Sequence, residues 1–455
     1  MGNPPDQAQK YLNALEAELD KDTFDDRVTA SELSSLKVLA RSPQAAPCVY
    51  CKDGLSTLAK TAFRNDNTTR PASSLEAARI IANALLLQDQ MQQVLADLGC
   101  LPGLLDFYRR PGADYEFIGG RILFLLTYKS KVDFVTLIES QSLVDNIDEH
   151  LSKHVSLASA IHSTNDSMNV SALVETLKLL YNLASKFPTQ MHFFSSTTDK
   201  LIKILTRLPL PQNPLSIPTT QILNALAMID WPSALNQAKD ADMAAFSRRL
   251  IENLDCSVSV LQAPQLETAL VPLLTVLRKV KEVDDQPSDE LLRSSLLPRN
   301  EERNRPLGES QSLASRLLKL QTSTGSTILP EAISGLLFDL SDRDAMKFVH
   351  NIGYGHAAGY LMAHKIVLPE GLAEGSISDD MSTPIPINPV TGQRLDTEEP
   401  AATPEMTDAE RQREAERLFV LFERLKATGV VDVENPLRSA QQSGRFEELS
   451  DSEPD

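Results

Sequence analysis

The chain has 455 residues, 42% of them hydrophobic, and its formal net charge at pH 7 is −18. A single compact core rarely extends over so many residues, whereas an array of repeats can, because each repeat packs on its neighbours. The acidic balance and the lack of a basic stripe argue against nucleic acid as a partner.

The first residues, Met1–Asp6, contain no apolar signal core. No later apolar run approaches the roughly 20 residues that a membrane-spanning helix needs. We therefore expect a cytoplasmic protein without a transmembrane segment.

Cysteines are few: Cys48, Cys51, Cys100 and Cys256. Four in so long a chain do not make a disulfide framework. Cys48 and Cys51 have the spacing of a redox pair, but the strand–helix–strand context of such a motif is missing and no second pair completes a zinc site. We interpret this segment as a partly buried loop.

A helical repeat begins near residue 74. Ser74–Leu86 has apolar residues at helical spacing, Gly99 stops a second helix, and Leu101–Leu105 opens a third. Arg121 follows Arg79 by 42 residues, which is a step typical of armadillo and HEAT units. Further apolar helices are predicted around 270–280, 313–320 and 332–340, so the fold class is an all-α armadillo/HEAT solenoid.

One helix of each repeat carries mostly polar residues at equivalent positions, and such a helix is expected to line the concave side of the solenoid. These are the candidates for lining a binding surface: Arg79, Asn83, Arg121, Phe124, Lys178, Asn182 and Asn224. Two interpretations stay open for the amides. They bond neighbouring turns of this chain, or they grip the backbone of an extended or helical guest.

Two further patterns resemble catalytic or ligand-binding motifs. His150 and His154 lie one turn apart without the glutamate of a zinc-protease motif, and we interpret them as a solvated helix end. The glycines at 353, 355 and 359 lack the spacing and strand of a dinucleotide loop, and fit a turn that passes close to the solenoid. No constellation for bond chemistry was found, so we expect no enzymatic activity and no cofactor or metal.

The chain changes character after the solenoid, predicted over residues 1–365. Residues 366–455 hold 20 acidic and 8 basic residues. We predict an acidic, proline-rich linker over 366–406 and an amphipathic partner-binding helix over 407–428. That helix begins with a capping box and carries one apolar stripe, Leu418, Leu421, Phe422 and Leu425. Residues 429–455 are predicted to be a disordered acidic tail.

Several segments together resemble one known family. They are GYG at 353–355, AAG at 357–359, INPVTG at 387–392, MT at 406–407 and RILFLLT at 121–127. Their order resembles the synembryn family, the exchange factors and chaperones of heterotrimeric G-protein α subunits. The resemblance implies a non-enzymatic guanine nucleotide exchange factor and a monomer. It would bind GDP-loaded, nascent or nucleotide-free Gα, and Gα would recruit it to the cell cortex or plasma membrane.

The resemblance also implies which residues contact the partner. Lys37 and Arg41 match basic positions that face the guest's terminus, and Arg79, Asn83, Arg121 and Phe124 match positions of the concave face. The late helix would contact the nucleotide-binding domain. Pulling on the terminal helix of Gα would release GDP.

The linker carries phosphorylation candidates. Ser376 and Ser378 lie in a short acidic serine cluster that an acidophilic casein-type kinase would accept. A phosphate there would pair with arginines such as Arg299, Arg303 or Arg305.

The main alternative is a generic armadillo adaptor that binds peptides without exchange activity. Import receptors of that kind combine their asparagines with a tryptophan ladder, and this chain has Trp231 alone.

Overall fold

A computed structural model describes residues 3–19, 25–64, 71–160, 167–210, 215–231, 240–261, 263–283, 286–322, 327–367, 387–388 and 390–398. Residues Met1–Asp396 form one compact unit, and Thr397–Asp455 form a second one of which residues 397 and 398 are described. The predicted helix over 407–428 and the tail therefore lie outside the described residues, as do Ser376 and Ser378.

Nineteen α-helices are found in the described ranges. The first ten are Pro4–Leu19 (α1), Asp26–Leu39 (α2), Lys52–Ala62 (α3), Pro71–Leu87 (α4), Gln90–Asp97 (α5), Leu101–Arg109 (α6), Ala113–Lys129 (α7), Phe134–Glu139 (α8), Ser142–Leu157 (α9) and Ser167–Lys186 (α10). The others are Ser195–Arg207 (α11), Thr219–Met228 (α12), Asp240–Val260 (α13), Ala263–Glu282 (α14), Gln286–Leu296 (α15), Leu313–Gln321 (α16), Ile328–Leu340 (α17), Ala345–Ile352 (α18) and Tyr354–Ala363 (α19).

Local sequence signals explain where several helices begin and end. The Asp25 carboxylate accepts the backbone N–H groups of Arg27 and Val28 at 3.0 and 3.2 Å, which satisfies two amides at the start of α2. Gly99 follows α5 with a φ of +67°, a conformation that favours glycine, and is the predicted stop. Gly353 (φ +79°) separates α18 from α19.

Helices stack in two rows. Each helix of the first row contacts the next one in the order α2, α4, α7, α10, α12, α14 and α17, which we call the stacked row. A second row runs through α6, α9, α11, α13 and α15, and it packs against the first through pairs such as α6 with α7 and α9 with α10. Packing of each helix on its neighbours is the architecture of a solenoid.

The predicted all-α solenoid is therefore confirmed. The segments predicted as helices around 74–86, 270–280, 313–320 and 332–340 lie inside or on α4, α14, α16 and α17. The first residues of α4 and α7, Pro71 and Ala113, are separated by the predicted 42 residues. In the described ranges, pairing of extended backbone is limited to one isolated bridge between Ile387 and Arg394.

The core is a continuous apolar cluster with large, fully buried side chains such as Tyr108, Phe107 and Phe194. Close approach of backbone requires glycine at several points, one of them between two neighbouring helices. A Cβ added to Gly119 of α7 would lie 2.9 Å from the Cα of Tyr108 in α6. Among the described helices, we find none that combines the length and the apolar character needed to span a bilayer.

Candidate functional site

The stacked row brings Lys37, Arg79, Arg121 and Lys178 onto α2, α4, α7 and α10, four helices that contact each other in sequence. Each of these cations is paired with a carboxylate of this chain. We call the four cations and their partners Glu76, Asp114 and Glu175 the charged band.

The first half of the charged band crosses three helices. The Nζ of Lys37 donates to Oε2 of Glu76 at 2.6 Å, and Nη1 of Arg79 donates to the other oxygen of the same carboxylate. Nη2 of Arg79 also donates to Oδ1 of Asp114 at 2.6 Å. Although burial raises the pKa of Glu76, the hydrogen bonds from Lys37 and Arg79 outweigh it, and the net pKa is lowered. Glu76 is therefore ionised at neutral pH.

The second half joins α7 to α10. Nη2 of Arg121 donates to Oε1 of Glu175 at 3.0 Å, and Nζ of Lys178 reaches the same oxygen at 3.1 Å. The Arg121 guanidinium also lies 4.7 Å from the centre of the Phe117 ring. Glu175 is buried, whereas the Arg121 and Lys178 side chains are 37% and 38% exposed. Both cations are thus partly exposed to solvent.

Charge in this band does not cancel. Four cations face three carboxylates, which leaves a net charge of about +1 on a protein whose total is −18. A partner that contributes a carboxylate would find donors that are already held in place, so it would not have to order long side chains.

The three predicted amides differ in their surroundings. Asn182 is buried, and its Nδ2 donates to Oγ1 of Thr127 at 2.8 Å, which ties α10 to α7. This contact favours the structural interpretation for Asn182. Asn83 and Asn224 are half-buried.

Apolar side chains are exposed one turn beyond the candidate lining residues on the same helices. Leu86 and Leu87 follow Asn83, Tyr128 follows Phe124, Tyr181 follows Lys178, and Met228 follows Asn224. Residues three or four apart share a helix face. We call Leu86, Leu87, Phe124, Tyr128, Tyr181 and Met228 the apolar band.

Tyr128 shows how this band is built. Its side chain is 51% exposed, and its ring packs edge-on against Phe124 with centroids 5.2 Å apart. An exposed tyrosine supported by the half-buried Phe124 beside a charged band combines apolar contact area with fixed polar groups, which is the composition of a protein-binding surface.

The remaining predicted residues lie elsewhere. Arg41 is exposed in the turn that follows α2. Leu418, Leu421, Phe422 and Leu425 lie outside the described residues. Arg303, one candidate phosphate partner, is buried and donates to three backbone carbonyl groups, while Arg299 and Arg305 are exposed.

The interpretation of His150 and His154 as a solvated helix end is wrong. Both are buried, and His154 Nε2 lies 2.8 Å from Oε1 of Glu116, a carboxylate with no exposed surface. Oγ1 of Thr176 donates to that oxygen at 3.0 Å, and His150 Nε2 lies 2.9 Å from the carbonyl oxygen of Tyr108. This buried cluster joins α6, α7, α9 and α10.

A sequence signal for this burial existed. Leu143, Ile147, His150, Leu151 and His154 follow one another at spacings of four, three, one and three, so the histidines continue an apolar helix face. Glu116 lies 34 residues before His150, and no local pattern pairs them.

Comparison with known proteins gives a family-level match. The Ric8 family profile, described as guanine nucleotide exchange factor synembryn, matches residues 32–445. The chaperone Ric-8A of Macaca fascicularis is 30% identical over 180 residues, which are 37% of this chain and 33% of that protein. A synembryn-like chaperone of Schizosaccharomyces pombe is 26% identical over 195 residues, 40% of this chain and 36% of that protein.

The chain thus aligns with about a third of the length of these curated relatives. Among solved structures, a designed armadillo repeat protein is similar with a TM-score of 0.39 and 15% identity, covering 60% of this chain and 99% of that one.

Proposed function

The chain belongs to the Ric8 family, described as guanine nucleotide exchange factor synembryn, and from this membership we propose that it releases GDP from heterotrimeric G-protein α subunits. We propose further that it stabilises the nucleotide-free α subunit and assists its folding in the cytoplasm. The names of the similar proteins from Macaca fascicularis and Schizosaccharomyces pombe, both called chaperones, support the folding role.

The observation that carries the proposal is the charged band lying beside the apolar band on consecutive helices of the stacked row. An amphipathic helix has the matching properties: an apolar face and, at its C-terminus, a carboxylate and unsatisfied carbonyl groups. The guest's terminal carboxylate would lie toward Lys37 and Arg41, and its apolar face would cover Tyr128 and Tyr181.

The size of the surface fits such a guest. Packed helices are about 8–10 Å apart, so the four steps from α2 to α12 extend over about 32–40 Å. At 1.5 Å per residue, a guest helix of about 21–27 residues would reach from one end to the other.

Exchange follows from differential binding and requires no bond chemistry. If the terminal helix of Gα enters the surface only when it has left its place in the GTPase, the protein binds the nucleotide-free state more tightly than the GDP-bound state. Linkage then requires that GDP affinity falls by the same factor. GTP, present in excess, would finally displace the protein.

Residues 407–428 would supply a second contact. In this proposal Leu418, Leu421, Phe422 and Leu425 lie on the nucleotide-binding domain of Gα while the stacked row holds its terminal helix. The two contacts would act together because a tether keeps the second one at high effective concentration. A protein truncated after residue 405 should then accelerate GDP release from Gα less than the full chain does. The melting temperature of the solenoid should stay unchanged.

The decisive experiment mixes the purified full chain with GDP-loaded Gα and follows the release of a fluorescent GDP analogue. Lys37→Met should reduce the catalysed rate about tenfold, since it removes a cation from the charged band. Lys200→Met is the matched control. Lys200 pairs with Asp148 at 3.0 Å on the second row and is exposed to a similar extent, 20% against 23%.

Equal effects of the two variants would contradict the assigned surface. Unchanged GDP release together with no complex in nucleotide-free buffer would contradict the function itself. That result would favour an armadillo adaptor that binds peptides without exchange activity.

A further inference from the structure

Residues 387–388 and 390–396, within the predicted linker, form hydrogen bonds to residues of the solenoid. We call residues 387–388 and 390–396 the docked segment. The N–H of Arg394 donates to the carbonyl oxygen of Arg303 at 2.8 Å, and the N–H of Leu307 donates to that of Thr391 at 3.1 Å. These two bonds run in opposite directions between the docked segment and residues 303–307, so they fix its register.

Arg303 contacts this segment through its side chain as well as its backbone. Its side chain is 4% exposed, and Nη1 donates to the carbonyl oxygen of Gly392 at 3.0 Å. Nη2 donates to the carbonyl oxygens of His350 and Asn351 at 2.8 and 3.1 Å. One guanidinium thus joins the docked segment to the C-terminal turn of α18, whose carbonyl groups would otherwise lack donors.

Glycine is required where the segment touches the helices. Gly392 has a φ of +69°, and a Cβ added there would lie 2.4 Å from Cδ1 of Leu307. A Cβ on Gly353 (φ +79°) would lie 3.1 Å from the backbone nitrogen of Gly392. The two backbones approach closely enough to exclude side chains, so the contact is specific to this sequence.

Docking changes the length of chain that separates the solenoid from residues 407–428. Without it, the tether would run from residue 366 to residue 407, about 41 residues, whereas from residue 396 it is about 11. Eleven extended residues reach at most about 40 Å, against about 145 Å for 41. Effective concentration falls roughly as the −3/2 power of tether length, which makes the difference about sevenfold.

We propose that Arg303 is a positioning residue for nucleotide exchange on Gα. It anchors the docked segment and thereby shortens the tether of the partner-binding helix, residues 407–428. The inference rests on the proposed function, because it assumes that residues 407–428 act on the guest. The anchor itself is an intramolecular contact, and it is measured without any guest.

The anchor is tested by hydrogen exchange on the full chain. In the wild type the amides of Asn388, Gly392 and Arg394 should be protected, since each donates to a backbone carbonyl group. Arg303→Met should abolish their protection and leave the amides of α7 and α10 unchanged. Arg305→Met is the control, because Arg305 is exposed two residues away. Protection that survives Arg303→Met would overturn the anchor.

The role of Arg303 in nucleotide exchange is tested by insertions into the tether, which leave the helices and their contacts unchanged. Twenty Gly/Ser residues after Glu398 lengthen the tether from about 11 to about 31 residues and should slow GDP release about fivefold. The same insertion after Asp380 lies before the anchor, so it should have no effect in the wild type. In the Arg303→Met variant the insertion after Asp380 should slow GDP release about twofold, because the tether then begins at residue 366.

If the two insertions slowed GDP release equally in the wild type, the role of Arg303 would be overturned. It would also be overturned if neither insertion slowed GDP release. If no protein in the series released GDP, the proposed function would fail, while the hydrogen-exchange result would still decide whether Arg303 anchors the segment.

Discussion

Nη2 of Arg121 lies 3.0 Å from Oε1 of the buried Glu175, so a cation of α7 is held by a carboxylate of α10. Arg121→Met would leave that carboxylate with Lys178 as its remaining charged partner. We expect the free energy of unfolding to fall by about 1 kcal/mol, because a buried charge loses part of its compensation while Arg121 itself is half-exposed. Denaturant unfolding measures the change.

Arg109→Met is the control for this variant. Arg109 forms a pair with Glu149 across a similar sequence distance, but both side chains are more than 60% exposed. Its loss should cost less than about 0.5 kcal/mol. If both variants cost the same, burial of Glu175 does not determine the strength of the Arg121 pair.

Tyr181, an exposed member of the apolar band, should contribute to partner binding and little to folding. Tyr181 is 40% exposed, so Tyr181→Ser should reduce affinity for nucleotide-free Gα about tenfold while the melting temperature stays within about 1–2 °C. Val260→Ser, at an exposed position on the second row, should change neither quantity. A Tyr181 variant with wild-type affinity would remove this residue from the binding surface.

Gly119 should not tolerate a side chain. Its added Cβ would lie 2.9 Å from the Cα and Cβ of Tyr108, which are held by the core, so Gly119→Ala should lower the free energy of unfolding by about 2–3 kcal/mol. At Gly359 no atom lies within 4 Å of an added Cβ. Gly359→Ala should therefore be neutral or stabilising by up to about 1 kcal/mol, since alanine favours helix. Thermal unfolding of the two variants gives the comparison.

Acid should destabilise the protein through His150. Burial lowers the pKa of His150, and the nearby charge of Glu116 opposes this effect without reversing it. The folded protein therefore binds fewer protons than the unfolded chain below pH 6.5, so stability is complete above that pH and declines as pH falls through it. Glu116 adds to the loss at lower pH, because hydrogen bonds from His154 and Thr176 outweigh burial and lower its pKa.

Denaturant unfolding at pH 7.5 and 5.5 measures this slope. His150→Asn should make the slope smaller but not zero, because burial also lowers the pKa of His350 and His356. A His150 variant with the wild-type slope would show that this ring does not set the acid response.

Periodicity was sufficient to place residues on the stacked row but not to find their partners. The 42-residue step put Arg79 and Arg121 on equivalent helices, and Glu76 and Glu175 stand three residues before Arg79 and Lys178. The bond from Arg79 to Asp114 joins residues 35 apart on different helices, and it depends on how those helices pack. Tertiary contacts of this kind have no local signal.

The docked segment illustrates the same limit. Within it, Oδ1 of Asn388 accepts the N–H of Val390 at 2.9 Å, a local turn that an Asn-Pro pair favours. The arginine that holds this turn lies 89 residues before Gly392. Proline content and acidity predicted a linker. Neither property indicates that the buried Arg303, distant in sequence, forms hydrogen bonds to the segment.

Helices of the stacked row are connected in series, each contacting the next. Small rotations at successive interfaces therefore add up along the row. Cross-helix pairs such as Arg121 with Glu175 join neighbouring helices at these interfaces. If the stacked row holds a guest as proposed, small rotations shared among its interfaces would fit it to guests of different size without unfolding any single repeat.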